Sequence, residues 1–501
     1  MNKKRIPAIV ITVFFLFISS LALMSAIWYI TTYGNIGFAS IVFTLTVDNG
    51  AVEEGILKGF FLTGLLPSIG ITILVSLALF INSKKAWIVK SKKTDKEYKI
   101  FPFSKKIASV ISVVLILSFL VTAAMLVSFP QYIISLLDTS TLYEDYYVDP
   151  NTVKIDFPAT KRNVIYIMLE SMETSFFSEE LGGGLSYNVI PELYDLAENN
   201  TNFSHNEGIG GWGTVTNATW TIASIVSQTS GIPLSIPAKR NAYGKTAAFL
   251  PGATTITNIL KDNGYYQVFM CGSEGNYAGR DQYYLQHGAD KVYDLDTARN
   301  VDGIVPEGYK VWWGMEDLHL YEYAKQELPK IAENDQPFFF TMLTVDTHHV
   351  GGYKCSLCGD EYEEKYENVY SCASKQLVEF VNWIKEQPFY ENTSIIIVGD
   401  HASMDNAYFE RAMPDDYDRH MYNCFINAPV STDNVKNRVF TPMDMFPTTL
   451  AVMGCTIEGD RLGLGTNLFS DKPTLAEEIT IEKLNNLLGK RSDYYMNNFA
   501  K

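Results

Sequence analysis

The hydrophobic pattern divides the chain into an apolar N-terminal part and a longer part in which short apolar runs alternate with amphipathic stretches. Three runs, at 6–30, 56–81 and 107–129, are almost wholly apolar. Each is long enough for a helix across a bilayer core, which takes about 20 residues. A cleaved signal peptide is the less favoured interpretation of the first run, because it is long and two further spans follow it. We therefore predict a membrane anchor of three transmembrane helices over residues 1–130.

Basic residues beside these runs indicate the orientation of the anchor. The chain begins with Lys3, Lys4 and Arg5. The loop between the second and third runs holds nine lysines, at positions 84, 85, 90, 92, 93, 96, 99, 105 and 106. Because Lys and Arg collect on the cytoplasmic side of membrane proteins, both clusters are expected there. Three spans then place the rest of the chain on the extracellular or periplasmic side of a bacterial cell membrane.

Two further segments are expected near the membrane. The run at 38–47 is apolar but too short to span a bilayer, so we interpret it as interfacial or re-entrant. Residues 131–160 are expected to form a linker, and the stretch 130–147 has the character of an amphipathic helix lying on the membrane. The outer domain would then cover residues 161–501.

The outer domain has the pattern of an α/β fold. Strand-like runs, rich in β-branched and aromatic residues, lie at 163–169, 266–271, 338–345 and 394–398. Helical stretches lie between them, at 219–228, 255–263, 316–333 and 370–386. This alternation predicts a central, mostly parallel sheet flanked by helices. Ligands bind such sheets at the C-terminal ends of the strands.

Acidic and histidine residues follow three of these strands. Glu170 follows the first strand, His348 lies just after the third, and the pair Asp400-His401 follows the fourth. Each residue alone has an ordinary structural explanation as a cap, a turn residue or a buried histidine. Together they end three strands of one sheet, so we expect them to converge. Carboxylate and imidazole ligands suit Mn²⁺, Mg²⁺ or Zn²⁺, and such an ion polarises a phosphoryl oxygen.

A Gly- and Thr-rich loop at 210–221 leads into an apolar helical run and offers a hydroxyl nucleophile. A hydroxyl at a helix N-terminus lies near the positive end of the helix dipole and near free N–H groups, which favour an alkoxide and a bound phosphate. Helix capping is the alternative role for each threonine there. The candidate nucleophiles are Thr219 and Thr221.

The charge distribution excludes one class of partner. The chain has 40 Lys and Arg against 56 Asp and Glu, for a net charge of −16. Residues 1–130 hold 13 of the basic and 5 of the acidic residues, which leaves 27 and 51 for the remainder. Nucleic acids are bound by basic surfaces, so we expect no nucleic-acid partner for this acidic domain.

With these motifs in place, the outer domain resembles the alkaline phosphatase/sulfatase superfamily, and within it the lipoteichoic acid synthase and phosphoglycerol transferase branch. The resemblance runs from about residue 163 to 470. The segments that carry it are NVIYIMLES (163–171), TWTIASIVSQTSGIPL (219–234), LTVDTHH (343–349), IIIVGDH (395–401) and RLGLGTNLFS (461–470). A sulfatase-like catalytic domain over residues 161–501 is therefore expected.

The resemblance implies a divalent metal, with Mn²⁺ favoured over Mg²⁺ and Zn²⁺. The ligands it implies are Glu170, Thr221, Asp400 and His401. Thr221 is preferred to Thr219 as the nucleophile, because its spacing to Ser224 and Gly231 is similar to that of the family. His348 and Arg280 match positions that contact the phosphate and glycerol of the substrate.

The resemblance also implies a lipid substrate. Glycerol phosphate would leave phosphatidylglycerol through a phospho-threonine intermediate, with release of diacylglycerol, and pass to a glycerophosphate polymer, a glycolipid or a glycan. Cys271 stands where lipoteichoic acid synthases tend to have a histidine, and the anchor has fewer spans, so the acceptor stays open. The alternatives are a phosphoethanolamine transferase of the same fold and a catalytically inactive sulfatase-like ectodomain.

The six cysteines all lie in the outer domain, at positions 271, 355, 358, 372, 424 and 455. Disulfides are plausible outside the cell. Cys355 and Cys358 form a CxxC that would supply half of a zinc site, but no second CxxC exists in the sequence. A disulfide that involves Cys372, or free thiols, is therefore the favoured interpretation.

Overall fold

The computed structural model describes residues 6–33, 38, 41, 54–80, 87–90, 97–101, 103–235, 248–414 and 416–500. The chain forms two compact units. The first consists of Met1–Ser40 and Ala51–Ile134, and the second of Ile41–Gly50 and Ser135–Lys501. Of the run at 38–47, only residues 38 and 41 lie within the described residues, so its expected position is not described.

The first unit is built from long apolar helices. Its elements are α1 (Ile6–Tyr33), α2 (Glu54–Gly59), a π-helical turn (Phe60–Leu65), α3 (Leu66–Phe80), β1 (Trp87–Lys90), β2 (Glu97–Phe101) and α4 (Lys105–Leu126), with β1 antiparallel to β2. In the part of the chain that the structure describes, three helical stretches are long and apolar enough to cross a membrane: Ile9–Thr32, Leu57–Phe80 and Lys106–Leu126. Ser20 Oγ lies 3.0 Å from Thr72 Oγ1, so buried hydroxyls join α1 to α3.

The second unit contains the α/β domain. Its helices are α5 (Phe129–Leu137, which begins in the first unit), α6 (Leu142–Tyr146), α7 (Pro191–Glu198), α8 (Thr221–Ser230), α9 (Ile256–Asp262), α10 (Arg280–Gln286), α11 (Leu295–Asn300), α12 (Asp317–Ala332), α13 (Lys365–Lys385), α14 (Asn406–Ala412), α15 (Met445–Val452), α16 (Leu475–Ile479), α17 (Ile481–Leu488) and α18 (Asp493–Asn498). Its strands are β3 (Ile155–Asp156), β4 (Asn163–Leu169), β5 (Gly211–Trp212), β6 (Tyr266–Cys271), β7 (Lys291–Tyr293), β8 (Phe338–Leu343), β9 (Thr393–Gly399), β10 (Met421–Ile426), β11 (Thr456–Ile457), β12 (Arg461–Leu462) and β13 (Gly465–Thr466).

The central sheet has seven strands in the order β5–β10–β9–β4–β8–β6–β7. The five strands from β9 to β7 are parallel, and β10 and β5 extend the β9 edge in antiparallel pairing. Strand β4 lies at the centre and is buried on both faces. Tyr166 and Met168 pack into one hydrophobic cluster, and Ile165 and Ile167 into the other. A continuous apolar run is what a strand covered on both faces requires.

The expected α/β fold with a central, mostly parallel sheet is confirmed, and the sheet is mixed because of its antiparallel edge. Strand β8 ends at Leu343, two residues before the predicted end. The reason is local, because the N–H groups of Val345 and Asp346 donate to the Asp317 carboxylate, at 2.7 and 3.1 Å, instead of to a neighbouring strand.

The structure pairs none of the six described cysteines in a disulfide. Cys355, Cys358 and Cys372 nevertheless lie together, with their sulfur atoms within 4.8 Å of one another. This three-cysteine arrangement was not expected from the single CxxC.

Candidate active site

Glu170 directly follows the central strand β4, at its C-terminal end. Its side chain is only 2% exposed. Its N–H donates to Thr344 Oγ1 at 3.0 Å, so the backbone is held against the segment that follows β8. The next residue, Ser171, adopts a left-handed φ of 54° and donates its hydroxyl to Glu170 Oε1 at 2.8 Å. This sharp turn points the carboxylate of Glu170 across the end of the sheet.

Asp400 and His401 follow the neighbouring strand β9. Asp400 Oδ1 accepts the N–H groups of Ser171 and His401, both at 2.7 Å, which locks the ends of β4 and β9 together. The His401 ring pairs its Nδ1 with the Ala402 carbonyl at 2.9 Å, and its Nε2 therefore faces the site. From there Nε2 lies 3.4 Å from both Glu170 Oε1 and Asp400 Oδ2.

Thr221 is the first residue of α8, and its hydroxyl lies within this group. Thr221 Oγ1 is 3.2 Å from Glu170 Oε2 and 3.3 Å from His401 Nε2. The preceding Trp220 is extended, with φ −145° and ψ 162°, so the helix begins at residue 221 and not at Thr219 as predicted. Among the described residues, Thr219 makes no hydrogen bond to Glu170, Asp400 or His401. Glu170, Asp400 and His401 together form what we call the acidic group, or the Glu170 group. Of the two candidate hydroxyls, only that of Thr221 makes hydrogen-bond contacts with it.

Burial and mutual charge shift the pKa values of these groups in opposite directions. Burial raises the pKa of Asp400 to about 7, and the nearby Glu170 carboxylate adds to this rise. Burial alone would lower the pKa of His401, but Asp400 and Glu170 together raise it to about 10. Burial opposes ionisation of Glu170, yet His348 and His401 hold its pKa well below the usual range. The buried carboxyl groups of Glu170 and Asp400 therefore favour a positively charged group between them.

The donor set at this point fits a divalent cation. The side chains of Glu170, Asp400 and His401 each place one ligand atom within 4.8 Å of the other two. Asp400 Oδ2 is buried and accepts no hydrogen bond within the described residues. Ligands about 2.1 Å from one ion lie roughly 3.0–3.4 Å apart, which matches the distances above. The hydroxyl of Thr221 would complete a hard, oxygen-rich set typical of Mn²⁺, Mg²⁺ or Zn²⁺.

The predicted substrate contacts are His348, in the loop after β8, and Arg280, the first residue of α10. The His348 ring packs against Trp313, with ring centroids 4.7 Å apart, and its Nδ1 lies 2.7 Å from the His349 carbonyl. Burial lowers the pKa of His348, although the Glu170 carboxylate opposes this shift. Arg280 is 5% exposed and donates through Nη2 to Ser273 Oγ at 2.9 Å. The Arg280 charge contributes to the lowered pKa of His348, which places the two residues near each other.

A hydrogen-bonded chain that the sequence analysis missed fixes α8 to the end of β9. Ser224 donates its hydroxyl to the Asp400 carbonyl oxygen, and Gln228 Nε2 donates to Ser224 Oγ at 2.9 Å. Tyr166 of β4 donates to Gln228 Oε1 at 2.6 Å. All three side chains are buried. The signal in the sequence was a serine and a glutamine one turn apart within an apolar helix.

A second buried carboxylate, Glu173, lies close to the site without joining it. Arg419 forms two hydrogen bonds with the Glu173 carboxylate, one of them from Nε at 2.8 Å. The Ser403 N–H also donates to Glu173 Oε1, at 2.7 Å. This ion pair therefore anchors the turn that follows Asp400 and His401. The sequence alone does not show that Glu170 belongs to the active site and Glu173 does not. The difference lies in Arg419, which pairs with Glu173 from a distant part of the chain.

Gly399 precedes Asp400, and its lack of a side chain allows β9 to approach the turn after Glu170. A Cβ at this position would lie 1.9 Å from the Met172 carbonyl oxygen, which is backbone and cannot rotate away. We expect Gly399→Ala to lower the free energy of unfolding by about 1–3 kcal/mol and to displace Asp400. Chemical denaturation of the full chain measures this loss. Gly70→Ala is the matched control, since no atom lies within 4 Å of its Cβ; equal stability of the two variants would contradict the prediction.

A stacked histidine pair predicts a loss of stability in acid. The rings of His205 and His420 lie 3.4 Å apart, and burial together with His420 lowers the pKa of His205 to about 4. A histidine with a lowered folded pKa stabilises the fold above its unfolded value of about 6.5, and this stability is lost as pH falls towards 4. We expect a loss of up to ~3 kcal/mol, measured by denaturation between pH 7 and 4.5. His205→Phe should flatten this pH dependence, whereas His319→Gln on α12 should leave it unchanged.

Comparison with known proteins identifies the family of the chain. The sequence profile described as Sulfatase matches residues 162–455, more than half of the chain. The chain belongs to the sulfatase family. All residues of the acidic group and Thr221 lie within the matched region, as do His348 and Arg280.

Relatives of this sulfatase-family chain include phosphoglycerol transferase I of Salmonella choleraesuis (strain SC-B67), 29% identical over 332 residues. The match covers 65% of this chain and 41% of the relative, so the chain spans well under half of that protein's length. Phosphoglycerol transferase I of Citrobacter koseri is 27% identical over 70% of this chain and 44% of its own.

Two solved structures show the same fold. The lipoteichoic acid synthase LtaP from Listeria monocytogenes has a TM-score of 0.50 at 17% identity, covering 70% of this chain and 97% of that one. The integral membrane lipooligosaccharide phosphoethanolamine transferase EptA from Neisseria meningitidis also has a TM-score of 0.50, at 14% identity, covering 97% of this chain and 87% of that one. Among its described residues, this sulfatase-family chain has three helices that are long and apolar enough to cross a membrane.

Proposed function

We propose that this protein is a membrane-bound phosphoglycerol transferase that takes glycerol phosphate from phosphatidylglycerol and releases diacylglycerol. The observation that carries this proposal is the position of Thr221, whose hydroxyl begins α8 and lies 3.2 Å from Glu170 and 3.3 Å from His401. A hydroxyl at a helix N-terminus beside a cation site is suited to attack a phosphodiester. The relatives named phosphoglycerol transferase I support glycerol phosphate as the transferred group.

The metal of the proposed site would be held by Glu170, Thr221, Asp400 and His401, with Mn²⁺ preferred. When bound, it acts as a Lewis acid on the phosphoryl oxygens and favours the ionised threonine hydroxyl. Without it, the two buried carboxylates rely on the His401 proton for compensation, as the raised pKa of that ring indicates.

The chain's own groups would act in two displacements at phosphorus. In the first, the bond from Thr221 Oγ1 to phosphorus forms while the bond to the diacylglycerol oxygen breaks. The threonine proton is released, and the departing glyceride oxygen takes up a proton. In the second, an acceptor hydroxyl oxygen forms the new bond to phosphorus while the bond from phosphorus to Thr221 Oγ1 breaks, and the acceptor's proton replaces the one that the threonine lost. The acceptor we propose is a glycerophosphate polymer, a glycolipid or a glycan.

His348 and Arg280 are proposed to bind the headgroup. Three hydrogen bonds from Nε and Nη2 to residues 273–277 hold the Arg280 guanidinium in place, which leaves its positive charge and the two N–H groups of Nη1 for a phosphate. The His348 ring is held by Trp313 and by the His349 carbonyl, which accepts a hydrogen bond from its Nδ1, so Nε2 of the neutral ring is placed to accept a hydrogen bond from a glycerol hydroxyl. We further propose three membrane spans with the N-terminus and the lysine-rich loop in the cytoplasm and the catalytic domain outside.

The deciding experiment measures lipid specificity. The purified full chain is mixed with detergent micelles that contain either phosphatidylglycerol or phosphatidylethanolamine, each with a fluorescent acyl chain, with and without Mn²⁺. We expect Mn²⁺-dependent release of fluorescent diacylglycerol from phosphatidylglycerol alone. Release from phosphatidylethanolamine instead would indicate a phosphoethanolamine transferase. The absence of product from both lipids, with Mn²⁺ bound, would indicate an inactive ectodomain.

A further inference from the structure

Three cysteines meet at a second position in the fold, apart from the group around Glu170. Cys355 and Cys358 lie in the loop between β8 and α13, and Cys372 lies on α13 itself. The Cys355 sulfur is 3.6 Å from that of Cys358 and 3.8 Å from that of Cys372. Cys355 and Cys372 are each 5% exposed, and Cys358 is partly exposed.

These separations fit ligands of one metal ion better than a disulfide. A disulfide places its sulfur atoms about 2.05 Å apart and joins only two of the three cysteines. Thiolates bound to tetrahedral Zn²⁺ at about 2.3 Å lie roughly 3.8 Å from one another. Both sulfur–sulfur separations from Cys355 are close to that value, and all three sulfur atoms lie within 4.8 Å of one another. The cluster therefore has the spacing of a metal-thiolate site.

Hydrogen-bond donors around the sulfur atoms support the same conclusion. Gln376 lies one helical turn after Cys372, and its Nε2 donates to the Cys372 sulfur at 3.4 Å and to the Cys355 sulfur at 3.8 Å. Gln376 is 7% exposed, so these bonds lie in a sheltered place. Donors directed at sulfur stabilise thiolates and orient them as ligands. The turn itself is held by the Cys358 N–H, which donates to the Cys355 carbonyl at 3.2 Å.

We propose that Cys355, Cys358 and Cys372 bind a zinc ion through three thiolates, with the fourth coordination position on the partly exposed Cys358 side. Three soft thiolates select Zn²⁺ over the hard cations suited to the Glu170 group. The two metal sites are thus chemically distinct, one rich in sulfur and the other without sulfur.

The zinc site would fix the loop that carries His348. Within this loop the Tyr353 N–H, two residues before Cys355, donates to the Asp346 carbonyl at 2.7 Å. It is tied to α13 by Lys365, whose Nζ donates to the Gly352 carbonyl at 2.6 Å. A metal bond from the loop to Cys372 would add a stronger link to the same helix. Loss of the ion should therefore free the loop around Lys354.

Cobalt substitution tests this site separately from the catalytic one. The full chain is loaded with Co²⁺, and the sulfur-to-cobalt charge-transfer band is recorded in the near ultraviolet. The Glu170 group contains no sulfur, so the band reports only thiolate ligands. We expect the band in the unaltered chain and its displacement by Zn²⁺. Cys372→Ser and the milder Cys358→Ser should each lose most of the band, whereas Cys455→Ser, which changes a buried cysteine outside the cluster, should keep it.

Two results would overturn the proposal. The first is an intact mass about 2 Da below the fully reduced value, together with the absence of a cobalt band, which would show a disulfide within the CxxC. The second is a band of full intensity in both Cys372→Ser and Cys358→Ser. Limited trypsin digestion adds a structural readout, since cleavage after Lys354 should be faster in Cys372→Ser than in Cys455→Ser; equal rates would also count against the proposal.

Discussion

Thr221→Ala should reduce diacylglycerol release at least ~10³-fold, whereas Thr219→Ala should retain activity within a few-fold. The reason is that α8 begins at Thr221 and not at Thr219. Thr221 Oγ1 lies 3.2 Å from Glu170, while the Thr219 hydroxyl makes no hydrogen bond to the acidic group among the described residues. Removing the attacking oxygen removes the covalent step, and removing a hydroxyl outside the group does not. Release of fluorescent diacylglycerol, compared at equal protein and Mn²⁺, measures the difference.

The covalent intermediate gives a second measure of the same prediction. No Lys or Arg lies between Arg162 and Lys239, so trypsin leaves both threonines on one peptide. Chymotrypsin cleaves after Trp220 and separates them. Glycerol phosphate trapped during turnover should then be found by mass spectrometry on the peptide that begins with Thr221. Its presence on the Thr219 peptide, or full activity of Thr221→Ala, would assign the chemistry to another residue.

Asp400→Asn should weaken Mn²⁺ binding and lower activity by ~10²-fold or more, while the folded chain without metal keeps its stability. Asp400 Oδ1 accepts two N–H groups at 2.7 Å, and an asparagine oxygen can accept both. Oδ2 accepts no hydrogen bond among the described residues, so its replacement by NH₂ breaks none there. The substitution removes a charged metal ligand, but it also removes the repulsion between the carboxylates of residues 400 and 170. Isothermal titration with Mn²⁺ and thermal denaturation in a chelator measure the two effects.

A buried carboxyl elsewhere in the domain provides the control for this substitution. Asp444 is 1% exposed, burial raises its pKa to about 6, and its oxygens accept the N–H groups of Thr441 and Thr466. Asp444→Asn should leave Mn²⁺ affinity unchanged. Equal affinity in the unaltered chain and in Asp400→Asn would place the metal outside the Glu170 group. A large loss of stability in Asp400→Asn would instead point to a structural role for that carboxylate.

Much of the sheet could be predicted because its parallel strands are buried on both faces. The runs at 163–169 and 394–398 correspond to β4 (Asn163–Leu169) and β9 (Thr393–Gly399) within one residue. Once two strands are parallel neighbours, their following residues meet at the same edge. For that reason the sequence alone was enough to group Glu170 with Asp400 and His401.

The features that were missed depend on contacts across the fold. Strand β10 contains Asn423, which is unfavourable in an isolated strand but exchanges side-chain hydrogen bonds with the Phe203 backbone at 2.8–2.9 Å. Strand β5 has two residues and is too short to show a period. The helix start at Thr221 depends on the extended backbone of Trp220, and the approach of Cys372 to the CxxC depends on the packing of α13. Neither the helix start nor the position of Cys372 produces a recognisable pattern in the local sequence.

The anchoring of α8 to β9 through Ser224 has a consequence for how this fold can acquire new specificities. The groups proposed to make and break bonds sit on strand ends and a helix start that share buried hydrogen bonds. The groups proposed to recognise the headgroup lie on separate segments, with Arg280 at the start of α10 and His348 in the loop after β8. Exchange of those two segments with a relative of different headgroup preference should therefore change the substrate while the reacting centre, which has its own buried hydrogen bonds, stays in place.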